Sequence, residues 1–230
     1  TEFSNDATGL NNGTRYYVQA QANNSAGWSN GSILSFLTKP QPLTSFTATV
    51  VSGNQIDLSW NNQNGGDGAY IEYATGSAPT PWNEGDGTNV DENEDDDGNV
   101  TTPYSHTNLA LGTHYYYKAW AYATDGGWTS SGNSSAPRGD NPQTTDATTP
   151  NLPTVITNAS TGVEETNATL RGYLQNNGSA DTTCGFRYGE TIGSYSENFS
   201  KGIIANKTEF SNNNESLTPG QIYFFQAWAN

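Results

Sequence analysis

The sequence predicts an all-β chain of tandem β-sandwich domains, incomplete at both ends of the window, and three observations carry that expectation. A motif of the form Leu-x-x-Gly-x-x-Tyr occurs three times, at residues 10–16, 109–115 and 217–223. Tyr16 and Tyr115 are 99 residues apart and Tyr115 and Tyr223 are 108 apart, which is the length of one sandwich domain. No stretch sustains an apolar period of 3.6, whereas Gly, Asn, Ser and Thr fill the gaps between short apolar runs.

Each part of the motif has a physical role. The Leu ends one strand, the Gly permits a turn with positive φ, and the Tyr begins the next strand in a tyrosine corner. Alternation after the Tyr then directs Tyr16, Val18, Ala20 and Ala22 inward, and likewise Tyr115, Tyr117, Ala119 and Ala121, and Tyr223, Phe225, Ala227 and Ala229. Paired alanines suit a tightly packed sandwich centre. On these residues the chain resembles the fibronectin type III-like (immunoglobulin-like) repeats that occur in tandem on bacterial and archaeal surface proteins. The resemblance covers nearly the whole chain and identifies a fold far better than a function.

In that frame residues 1–40 hold strands E, F and G of a first domain: a strand near Phe3, the strand 16–22, then Trp28 and a closing strand at 32–36. Residues 41–138 are expected to form a complete domain, with strand A at 46–50, strand B at 56–60 and strand C at 69–73. Trp60 stands where the resemblance places a core tryptophan. A long insertion at 76–103 follows strand C and carries an acid cluster, and loops of that length are usually functional or disordered. Residues 139–153 read as an extended spacer rich in Asp, Asn, Thr and Pro. The last domain, 154–230, has strand B at 168–174, with Gly172 where Trp60 stands in its predecessor, and strand C at 184–188. It reaches strand F without a strand G. By this reading further residues of the same chain, or a neighbouring subunit, complete both ends.

The formal charge of −15 sets the chain against nucleic acid and anionic membrane surfaces. Eight carboxylates and no base fall between Glu84 and Asp97. Cys184 is the single cysteine, so no disulfide framework exists, and alternation puts it on one face with Phe186 and Tyr188 as a small buried hydrophobe. No signal peptide or membrane-spanning segment is visible within the window.

Acyl transfer needs a nucleophile beside a base, and sugar hydrolysis needs paired carboxylates in a cleft; neither is legible here, so the chain is not read as an enzyme. His106 and His114 lack metal-ligand spacing and read as surface polar residues. Asn93, Asp95, Asp97 and Gly98 fit the start of a calcium loop, although Tyr104 stands where such a loop would supply its bidentate Glu; the alternative is a solvated acidic loop. Asn-x-Ser/Thr acceptors occur at Asn12, Asn23, Asn30, Asn99, Asn133, Asn158, Asn167, Asn177, Asn198, Asn206 and Asn214. With 28 Asn and 51 Ser or Thr in the chain, chance gives about six such triplets, so eleven points to N-linked glycans as covalent groups. On the outer side of strand F, Tyr17, Tyr116, Trp120, Tyr122, Phe224 and Trp228 form a row that reads as a contact surface.

These features lead to an extracellular or cell-surface structural protein, a glycosylated filament, fibre or layer of sandwich repeats whose partners are copies of itself or neighbouring repeats. The alternative is an adhesin or a sugar-binding accessory region of a larger secreted protein, for which surface glycans are the partner. No nucleic-acid partner and no membrane insertion within the window are expected.

Overall fold

The structure, a computed structural model, describes residues 2–91, 99–123 and 138–230, with backbone alone at Asn99. It is all-β, with sixteen antiparallel strands and no helix among the described residues. The chain divides into two compact units, Thr1–Leu109 with Thr113–Thr148, and Ala110–Gly112 with Thr149–Asn230.

The first unit opens on a hairpin of β1 (Arg15–Asn24) and β2 (Gly27–Leu37). Its pairing sets Tyr16 against Phe36 and Val18 against Leu34 on one face. Among the described residues no second sheet covers that face, and Val18 is 51% exposed. The strand expected near Phe3 is not present, and Trp28 lies inside β2 rather than before it.

A sandwich follows. β3 (Thr44–Ser52), β4 (Gln55–Asn61) and β8 (Tyr104–His106) form one sheet; β10 (Gln143–Thr148), β9 (His114–Tyr122), β5 (Gly68–Thr75) and β6 (Thr88–Asn89) form the other, and β7 (Asn99–Val100) also pairs with β5. These orders are A-B-E and G-F-C-C′. Alternation produces the core directly: Ile56, Leu58 and Trp60 from β4 meet Tyr115, Tyr117, Ala119 and Ala121 from β9 and Ala69 and Ile71 from β5. The indole N–H of Trp60 donates to Asn62 Oδ1 at 2.9 Å, and its ring meets Phe46 edge-on. A buried polar handle is thereby satisfied.

Two expectations change here. The segment assigned to a spacer contains β10, which pairs with β9 from Gln143↔Ala119 to Thr148↔His114. Its Thr-rich, half-polar sequence reads as a loop by composition, but an edge strand needs only one inward side chain to pack, and Ala147 supplies it. The insertion is likewise not all loop, because β6 and β7 return to β5 as cross-strand partners.

The second unit repeats the plan. β11 (Thr154–Thr161), β12 (Ala168–Asn176) and β15 (Thr208–Asn214) make one sheet, and β14 (Glu197–Ile203), β13 (Thr183–Gly189) and β16 (Phe224–Ala229) the other. Leu170, Leu174, Cys184, Phe186, Phe210 and Ala227 form its core. Burial also raises the pKa of the Cys184 thiol. At Gly172 a methyl group would stand 2.7 Å from the Phe210 ring and 3.0 Å from the Ala227 methyl. Phe210, from the neighbouring strand, therefore lies across the site where the first sandwich has an indole. Its centroid is 5.0 Å from that of Phe186.

Phe210→Ala should destabilise the second unit by about 3–5 kcal/mol, since a large buried ring is removed from a small core. Urea unfolding followed by a probe in each unit tests this, and an effect below about 1 kcal/mol would show that Phe210 does not fill this core.

Candidate functional site

The three repeated motifs adopt the conformation their residues imply. Gly13, Gly112 and Gly220 have φ of 54°, 60° and 77°. The Tyr16 hydroxyl accepts the Asn11 N–H at 3.0 Å and the Tyr223 hydroxyl accepts the Thr218 N–H at 3.2 Å, each five residues back. At these two corners the clamp sets the phase of the F strand, and with it the side chains that face out.

On the outer face of the first sandwich the central group is Glu72. It points away from the core on β5 and is nevertheless 0% exposed, because the insertion folds over it. Its carboxylate accepts Trp82 Nε1–H at 2.9 Å and Gly87 N–H at 3.0 Å on Oε2, and Gly85 N–H at 2.5 Å on Oε1. Such charge-assisted bonds offset the cost of taking a carboxylate out of water. Lys118, directly across the sheet from Glu72, donates to the Trp82 carbonyl. The insertion is thus latched by both partners of one cross-strand pair.

The same covering decides the aromatic row. Trp120 and Tyr122 are buried, at 7% and 3% exposure, so they do not belong to an open contact surface. Arg138 lies 4.1 Å from the Tyr70 centroid and 5.0 Å from that of Tyr122, and its Nε donates to Glu84 at 3.1 Å. Tyr70 in turn packs on Trp120. In the second unit Phe224 and Trp228 are half-buried, and the Trp228 ring lies against Gly185, where a methyl group would sit 2.4 Å from it. Tyr17 is open on the hairpin, at 72% exposure. Tyr116 is half-buried and lines a groove of about 380 Å³ with Pro79, Pro81, Trp82, Lys118, Thr144 and Asp146.

The histidines separate. His114 is half-buried on the outer face. His106 is buried rather than surface-exposed: it packs among Tyr73, Tyr115 and Tyr117, and Nδ1 lies 3.1 Å from the Tyr117 hydroxyl. Burial lowers its pKa to about 4 and raises that of Tyr117. Its place on β8 opposite the buried Ile56 turns it inward, a pairing that forms only on folding.

Nine acceptor asparagines have described side chains. Asn12, Asn23, Asn30, Asn198 and Asn206 are exposed, and Asn158, Asn167 and Asn177 are half-buried. Asn214 is buried and lines, with Asn167, a separate cavity in the second unit, so it differs from the expected open acceptor. Asn133 and the side chain of Asn99 lie outside the described residues, as do Asn93, Asp95 and Asp97 of the calcium expectation. Among the described residues no group of three or more His, Cys, Asp or Glu side chains is placed to hold a metal ion.

No family description and no curated protein matches the chain. Solved structures do. The extracellular region of rat CD45, domains d3–d4, is 19% identical with a TM-score of 0.32, over 64% of this chain and 70% of that one. The chicken CNTN1 FN1–FN3 domains are 14% identical with a TM-score of 0.41, over 95% and 71%. A two-domain fibronectin type III segment from chicken tenascin is 14% identical with a TM-score of 0.30, over 81% and 90%. The A-B-E and G-F-C-C′ strand orders of the first sandwich carry the fibronectin type III-like fold by themselves.

Two outcomes are expected. Glu72→Ala leaves the buried Trp82 indole N–H, and the more accessible N–H groups of Gly85 and Gly87, without their acceptor and should cost about 1–3 kcal/mol. Amide exchange at Gly85 and Gly87 should accelerate sharply while the second unit is unchanged, and unaltered exchange there would remove Glu72 as the latch. His106, with its folded pKa depressed, contributes stability that is fully present above pH 6.5 and is lost as pH falls from 6.5 towards about 4, where the unfolded chain binds a proton that the folded one refuses. His106→Gln should flatten the stability curve across that window relative to the parent, as read by urea melts at successive pH values.

Proposed function

We propose that the chain is a structural segment of a glycosylated extracellular surface filament, fibre or layer built from β-sandwich repeats. The observation that carries this reading is the thrice-repeated corner at domain spacing, with its positive-φ glycine each time. Repeating one sandwich plan extends a chain with rigid modules and asks nothing of a reactive centre. Eight of the nine described acceptor side chains are exposed or half-buried, which suits N-linked glycans on the outside of such an array. Its partners in this role are copies of itself or neighbouring repeats. The high acidity keeps such modules soluble and apart until specific surfaces meet.

Native material tests the reading in two ways. Electron microscopy should show a regular filament or layer with a repeat of domain size, and dispersed monomers would overturn it. Glycopeptide analysis should find sugar at several of Asn12, Asn23, Asn30, Asn198 and Asn206, with Asn214 unmodified. Bare asparagine at all five open positions would remove the glycosylated-surface argument.

A further inference from the structure

Strands β9 and β10 border a gap on the outer face of the first sandwich. Outward along β9 stand His114, Tyr116, Lys118 and Trp120, and opposite the first three on β10 stand Thr148, Asp146 and Thr144. On the other flank Lys118 faces Glu72, but Tyr116 faces Ala74, so strand β5 contributes only a methyl group to the Tyr116 row. His114 stacks flat on Tyr116, with centroids 4.3 Å apart and planes 22° from parallel. It is held there, because Nε2 lies 3.0 Å from Asp146 Oδ2 and Nδ1 lies 3.1 Å from Thr148 Oγ1. Lys118 is drawn the other way, its ammonium on the Trp82 carbonyl and 5.2 Å from the Trp120 centroid. A groove of about 380 Å³ lies over Tyr116, bordered by Lys118, Thr144 and Asp146 on the sheet and by residues 78–82 of the insertion, within the range of small-ligand sites.

Its chemistry is selective. A tyrosine ring supported from one side by a stacked imidazole presents a fixed apolar face that suits the C–H face of a sugar ring. Around it, the Asp146 carboxylate has accepting capacity beyond its bond to His114, and the Thr144 hydroxyl both donates and accepts. A wholly apolar ligand would bury those groups without partners. An anionic ligand would meet Asp146 and a chain of net charge −15. We propose that this groove binds a neutral saccharide unit stacked on Tyr116. The proposal stands whether or not the chain forms an array. The same sugar chemistry has two sources, a foreign polysaccharide or an N-linked glycan on another copy of this chain.

The 230-residue chain, produced in a host that adds no N-glycans, is titrated by calorimetry with cellohexaose, mannohexaose and chitohexaose. At least one should bind, and Tyr116→Ala should weaken it by about tenfold or more, the worth of a lost stacking ring. Thr144→Phe, at an exposed edge-strand position, fills the groove without touching the core and should do the same if Tyr116→Ala perturbs β9. Ile192→Ser, exposed in the other unit, should leave binding unchanged. In a second arm the glycosylated chain is examined by sedimentation. Self-association that is reversed by the bound hexaose and lost in Tyr116→Ala assigns the sugar to a neighbouring copy, whereas binding without self-association assigns it to a foreign polysaccharide. No binding of any of the three at about 10 mM, or binding that survives both groove substitutions, overturns the proposal.

Discussion

The phase of strand F is the constraint on which the rest of this structure depends. A side-chain period of two means that a slip of one residue would exchange the two faces of β9, sending Tyr116, Lys118 and Trp120 into the core and Tyr117 and Ala119 out of it. The corner prevents that slip locally. A glycine with positive φ turns the chain, and at Tyr16 and Tyr223 the hydroxyl is tied to a backbone N–H five residues earlier. Packing then follows, because small alanines at the middle of the inner face allow the facing sheet to approach with Ile56, Leu58 and Trp60.

With the phase set, the outer face of the first sandwich becomes a second, polar organising centre. A carboxylate at 0% exposure is expensive unless its lone pairs are filled, and Glu72 fills three of them from the insertion. The insertion in turn buries the flank of the sheet together with Arg138, which stacks on Tyr70 and Tyr122. What looks like an open aromatic row becomes a largely covered one, and Tyr116 stays accessible where its cross-strand neighbour is alanine. The groove is thus a consequence of where the cover ends.

The two sandwiches solve one packing problem differently. In the first, Trp60 fills the volume between the sheets from strand β4. In the second, the corresponding residue is Gly172, and Phe210 from the adjacent strand β15 lies over it. Total volume and polarity are what a core requires, and which strand supplies the ring is free to vary.

The sequence by itself determined the all-β class, the spacing of the repeats, the F-strand phase and the inward faces of β4, β9, β12 and β13, since alternation and corner chemistry are local and need only neighbouring residues. Cys184 at 0% exposure follows from the same alternation. Composition misled where a polar strand lies at an edge, as in β10, and His106 is buried by the pairing of the three-residue β8 with β4, which no local pattern records. Only the tertiary structure decided that Glu72 anchors the insertion, that Trp120 and Tyr122 are covered, that Asn214 is buried, and that Tyr116 borders a groove. Each of those depends on residues distant in sequence, brought together by folding, and no local pattern of side chains records which segment will lie over which face.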